Sequence, residues 1–145
     1  MTYIETLGSN AVKVKKILAV ADTGKKNAAL AEISRALIEN SDKIIEANQK
    51  DLATARENGM SVSMQDRLML NEDRIKGIAS AVDELIKLED PIGKVDNGSV
   101  RPNGMRITKI RVPMGVIGMI YESRPNVTAD AATLCLKTGN AVILR

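Results

Sequence analysis

The residues best suited to chemistry stand close together. Between Tyr121 and Asn126 a polar run, Glu122-Ser123-Arg124-Pro125-Asn126, interrupts apolar sequence. An arginine can fork onto a carboxylate or phosphate. A serine hydroxyl can donate a hydrogen bond, and an asparagine amide can donate to an oxygen that gains charge during acyl transfer. The competing reading is that Pro125 shapes a turn and Asn126 caps the helix behind it. The residues alone leave both readings open. Arg145, after an apolar stretch, reads either as a surface charge or as a cation at a sheet edge, where a cofactor ribose or phosphate would sit.

Other chemical residues read as structural. The single cysteine, Cys135, lies near Ala131 and Ala132, and the chain has no histidine. With no cation in a pairing position to lower its pKa, it reads as a small buried hydrophobe. The absence of histidine removes the usual zinc ligand sets and any Ser-His or Cys-His pair, and one cysteine excludes an internal disulfide framework. Gly115 and Gly118 fall inside a strand pattern, so they read as close backbone packing and not as a dinucleotide fingerprint.

The elements around the polar run read as strand, helix, strand. Gly115 to Tyr121 is apolar on both faces, as expected of a strand covered on both sides of a parallel sheet. Val127 to Thr138 is rich in Ala and Leu and reads as a helix, and Ala141 to Leu144 as a second buried strand. That is the size of a parallel crossover unit. The polar run then lies at the C-terminal end of a parallel strand, where open α/β sheets bind ligands.

Upstream, the first 90 residues read as helices with one apolar face. The stripes run through Leu7 to Ala21, Ala28 to Ile38, Ile44 to Ala55 (Asn48 among them) and Ile75 to Ile86. Thr23, Ser41 and Asn71 read as N-caps, and Asn58-Gly59 as a C-terminal stop. Asp96-Asn97-Gly98 and Pro102-Asn103-Gly104 read as turns. Met105 to Val112 alternates as a strand exposed on one face.

Composition fits a folded domain, with 44% hydrophobic and 27% charged residues. Without Phe or Trp, the core must be built from aliphatic residues and methionine. A net charge of +3 and no stacking platform argue against nucleic acid. No apolar run approaches the ~20 residues needed to cross a bilayer, and the start does not read as a secretion signal, so a cytoplasmic location and no membrane partner are expected. Two strands and one helix leave sheet faces bare, which reads as part of a longer domain.

The stretch from Arg111 through Thr128, with its continuation from Leu134 to Arg145, resembles the signature region of the gamma-glutamyl phosphate reductases. Asp66-Arg67-Leu68 and Asp90-Pro91-Ile92-Gly93 fit the same pattern. That family belongs to the aldehyde dehydrogenase superfamily. The resemblance implies an α/β fold, aldehyde dehydrogenase-like and incomplete: N-terminal helices, an exposed strand segment, and the start of a parallel cofactor-binding sheet. It divides the chain into residues 1–104, the helical part of the cofactor-binding domain; 105–113, a strand of the oligomerisation element; and 114–145, the first strand-helix-strand unit. By the same resemblance the catalytic domain is expected to be absent from this chain.

The activity implied is NADPH-dependent reduction of L-glutamyl 5-phosphate to L-glutamate 5-semialdehyde, with phosphate release, in proline synthesis. A cysteine thiolate attacks the acyl phosphate in that scheme, and it is not Cys135. By the resemblance Asn126 is the oxyanion-hole amide, Ser123 and Arg124 hold the substrate's anionic groups, and Arg145 touches the cofactor. No metal is implied. The full-length protein is expected to be a homo-oligomer, and this chain alone to be inactive. A stand-alone helical interaction module derived from the same segment is the alternative.

Overall fold

The computed structural model describes residues 2–122 and 124–145. Six helices and four strands are found among them: α1 (Tyr3–Ala19), α2 (Thr23–Glu39), α3 (Ser41–Glu57), α4 (Val62–Leu68), α5 (Glu72–Lys87), β1 (Val95–Val100), β2 (Arg106–Ile110), β3 (Val116–Met119), α6 (Pro125–Lys137) and β4 (Ala141–Leu144). β3 and β4 pair in parallel with α6 as their crossover, which is the unit expected from the sequence. β1 and β2 form a separate antiparallel hairpin.

The helices begin where a side chain can accept the first free backbone N–H groups. Asn71 does so for α5, accepting from Arg74 N at 2.8 Å. Two expected caps are displaced by one residue. Asp22, not Thr23, caps α2, accepting from Lys25 N at 2.8 Å. Asn40, not Ser41, precedes α3, with no side-chain cap bond. In the first case a carboxylate is the stronger acceptor, and the Thr23 hydroxyl is freed to donate to Asp90 at 2.8 Å.

The short helix α4 has no counterpart in the apolar pattern. Asn48 places it. This residue, taken from spacing as part of the α3 stripe, is buried and polar. Its amide donates to Leu68 O at 2.8 Å and accepts from Leu70 N at 2.7 Å, bracketing the chain as it leaves α4.

Asp96-Asn97-Gly98 is not a turn but the middle of β1, in register with β2 after an irregularity between Val95 and Asn97. Cross-strand pairing overrides the local turn propensity there. The turn is Pro102-Asn103-Gly104, with Gly104 at φ 81°. The hairpin is exposed on both faces, not on one.

The core is aliphatic. Leu30 of α2 packs with Val82 and Leu85 of α5, and Leu37, Ile86 and Leu136 close around them. Two buried lysines lock this junction. Lys26, 2% exposed, meets Asp90 at 2.5 Å. Lys137, also 2% exposed, donates to Asn27 Oδ1 at 2.8 Å and Ile86 O at 3.2 Å. At the sheet, Asn140 Oδ1 accepts from Gly115 N at 2.8 Å and fixes where β4 begins. Gly115 takes φ 113°, a conformation that disfavours a side chain. Gly118 differs from expectation, since a Cβ there would meet nothing within 4 Å.

Cys135 is buried on α6, and burial pushes its thiol pKa up. It should therefore label slowly with a maleimide under native conditions and rapidly in denaturant; equal rates would contradict its burial. Burial works against ionisation of Asp90, but Lys26, the Ile92 N–H and the Thr23 hydroxyl outweigh it, so its pKa is lowered. A depressed carboxylate stabilises fully above its unfolded pKa, about 3.9, and the contribution fades as pH falls through the folded value. Asp90→Ala, which strands Lys26, is expected to cost ~3–5 kcal/mol in urea unfolding near neutral pH. Its unfolding midpoint should also change less with acid than that of the wild type.

Candidate functional site

Glu122, Arg124, Pro125 and Asn126 lie where the sequence places them, beyond the C-terminal end of β3. The helix starts earlier than the pattern suggests, at Pro125, where a missing N–H costs nothing. Arg124 is the N-cap residue and makes no side-chain cap bond. Asn126 is therefore inside the first turn and does not cap the helix. Its Nδ2 donates to Asp130 Oδ2 at 3.1 Å, one turn on. An amide nitrogen has two hydrogens, so one is left for another acceptor. The Tyr121 hydroxyl and Thr128 Oγ1 lie 2.6 Å apart, tying the end of β3 to α6. Ser123 lies outside the described residues.

Arg124, Pro125, Asn126 and Asp130 form one wall of a cleft of about 620 Å³. The rest of its lining is supplied by Asp66, Arg67, Met69 and Leu70, with Arg74, Gly77, Ile78 and Ala81 on α5. The segment Asp66-Arg67-Leu68 and the polar run are thus brought together by the fold. A smaller adjoining cleft of about 220 Å³ is bordered by Met60, Met64, Arg67, Leu68, Glu122 and Arg124.

The charges in this region are not equivalent. Arg74 is committed internally, bonded to Asp66 Oδ1 at 2.9 Å, to Met69 O at 2.8 Å and to Asp66 O. Among the described residues, no hydrogen bond or ion pair engages the side chain of Arg67 or Arg124. Both are exposed. The arrangement offers two free guanidinium groups and an asparagine amide to one space, which suits an anionic ligand with a polarisable carbonyl. Arg67 carried no role in the sequence reading. Its partner across the cleft is 57 positions away, and only the adjacent Asp66 and Leu68 marked it.

Arg145 follows β4, and its backbone continues the parallel ladder by accepting from Tyr121 N at 3.0 Å and donating to Met119 O at 2.9 Å. Its side chain is exposed and does not line the cleft of Asn126. A cation at the C-terminal edge of a parallel sheet fits the phosphate end of a dinucleotide. Cys135 contributes to neither cleft. Among the described residues no cluster of His, Cys, Asp and Glu suits a metal ion, and no helix is long and apolar enough to cross a membrane.

No family model matches the sequence. Curated relatives do. The gamma-glutamyl phosphate reductase of Caldanaerobacter subterraneus subsp. tengcongensis is 53% identical over 142 residues, 98% of this chain and 34% of that protein. The one from Clostridium perfringens is 56% identical over 138 residues, 95% of this chain and 33% of that protein. The crystal structure of gamma-glutamyl phosphate reductase from Thermotoga maritima superposes with a TM-score of 0.96 at 42% identity, covering 99% of this chain and 35% of the other. The Saccharomyces cerevisiae enzyme gives 0.94 at 35% identity, covering 99% and 36%. The chain spans about a third of the length of the curated relatives it matches. Over nearly all of its residues it is similar, in sequence and in fold, to the N-terminal portion of gamma-glutamyl phosphate reductase.

Proposed function

We propose that this chain is the segment of a gamma-glutamyl phosphate reductase that supplies the oxyanion-stabilising amide, substrate-anion contacts and one cofactor contact. The reaction is reduction of L-glutamyl 5-phosphate to L-glutamate 5-semialdehyde with release of phosphate, a step of proline synthesis in the cytoplasm. The observation that carries this reading is the exposed Asn126 amide beside Arg124 in one cleft, within a stretch similar throughout to proteins of that name.

The residues present divide the work. Asn126 keeps one amide hydrogen for the acyl oxygen while Asp130 holds the other, so its orientation is set before substrate arrives. Arg124 takes an anionic group of the substrate, and Ser123 is its proposed companion. Arg145 binds the ribose phosphate of NADPH, which supplies hydride when bound. The nucleophilic thiolate comes from elsewhere in the enzyme, because Cys135 is a buried thiol with a raised pKa. We assign residues 1–104 and 114–145 to the cofactor-binding domain and 105–113 to subunit association in a homo-oligomer. The exposure of both hairpin faces supports the last assignment, since an isolated two-stranded sheet is marginal in water. β1 pairs along that segment, so within residues 1–104 the strand Val95–Val100 is the exception and joins the subunit-association contact.

In the full-length enzyme carrying this sequence, Asn126→Ala is expected to lower kcat by ~10²–10³-fold while substrate KM changes little. A kcat within a few-fold of wild type would remove Asn126 from the oxyanion site. The 145-residue chain by itself should show no glutamyl phosphate-dependent oxidation of NADPH.

A further inference from the structure

We propose that Arg67, near the end of α4, holds the α-carboxylate of the acyl phosphate substrate. This rests on the reading that the cleft takes L-glutamyl 5-phosphate, and it adds a specificity-determining residue to that site. Arg67 and Arg124 border both clefts, so two guanidinium groups from elements far apart in the chain flank the same space. Neither has an internal partner among the described residues. Asp66, the acid beside Arg67, is taken by Arg74, and Asp130, the carboxylate on the other wall, accepts from Asn126. Glu122 borders the smaller cleft as well, but among the described residues its carboxylate is bonded to neither arginine, so both guanidinium groups keep donors free for an anion.

Arg67 is also well placed by its support. The buried Asn48 amide fixes Leu68 and Leu70 on its C-terminal side. The Met60 carbonyl, just before α4, accepts from Gln65 Nε2 at 2.7 Å. A guanidinium on a segment tied down at both ends loses less freedom on binding than one on a loose loop.

The substrate has two anionic groups, and its chemistry separates them. Phosphate is bonded to the acyl carbon whose oxygen Asn126 addresses, and Arg124 stands two residues from Asn126. The α-carboxylate is separated from that carbon by three others. It needs a cation on a different element, and Arg67 is the free one in the lining. A planar fork suits a carboxylate, so Lys is an incomplete substitute.

The test uses the full-length enzyme carrying this sequence. Arg67→Ala is expected to raise KM for glutamyl 5-phosphate ~10- to 100-fold with kcat nearly unchanged, the loss of one charge-assisted contact. Arg67→Lys should recover part of it, and inhibition by inorganic phosphate should stay at the wild-type level. Arg67→Gln, which keeps much of the side chain's bulk without its charge, should match the alanine variant and guards against a packing effect. A KM within about twofold of wild type in both neutral variants overturns the assignment. So does a parallel weakening of phosphate inhibition, which would move Arg67 to the phosphate. A wild-type enzyme that does not turn over glutamyl 5-phosphate overturns the substrate reading itself, whereas an active enzyme indifferent to Arg67 overturns only this inference.

Discussion

The contact between Lys26 and Asp90 is the constraint on which the remaining geometry depends. Lys26 lies in the first turn of α2 and Asp90 just past the end of α5, so their 2.5 Å contact decides which part of one helix faces the exit of the other. Thr23 adds a second bond to the same carboxylate. One position beyond Lys26, Asn27 accepts from Lys137 near the end of α6. The start of α2 is therefore where three helices are indexed against one another. A core without Phe or Trp has few shapes that fit in one way only, and directional polar contacts specify what smooth aliphatic packing leaves loose.

From that junction the arrangement reaches the cleft through rigid bodies. α5 turns Ile75, Ala79, Val82 and Leu85 to the core and Gly77, Ile78 and Ala81 to the cleft, so its core packing sets one wall. α6 carries Lys137 in its last turn and Asn126 in its first. Anchoring one end of a helix aims the other, because its backbone hydrogen bonds make it a stiff rod. Asn140 and Gly115 close the loop from the sheet side, holding β4 beside β3. The Asn126 amide is thus oriented by a lysine at the opposite end of its helix.

Much of this was legible in the sequence, for identifiable reasons. The long helices show apolar stripes, Asn71 begins one with a well-placed acceptor, and the strand-helix-strand unit follows from two short apolar runs around a crossover helix. Its similarity to the reductases was carried by the run from Arg111 to Arg145. What escaped depended on partners distant in sequence. Asp96-Asn97-Gly98 has turn composition, yet pairs with Thr108 and its neighbours. α4 is too short for a period, and it is positioned by Asn48, twenty residues from the carbonyl it binds. Thr23 looks like a cap until Asp90 is seen to claim its hydroxyl. Arg67 acquires meaning only beside Arg124.

That last separation bears on the order in which the molecule takes shape. One wall of the cleft ends at Ala81 and the other begins at Arg124, so more than forty residues intervene. Closing a loop of that length costs entropy before any contact across it is gained, and such contacts form late. α2 and α5 pair across a shorter loop and can meet earlier, whereas α1 packs on β3 and β4 and must wait for the far end of the chain. A nascent chain that has emerged only as far as the hairpin has no second wall, and its arginine on α4 faces open water. The cleft is thus a late product of folding, and an intermediate lacking docked α6 would be helical but without it.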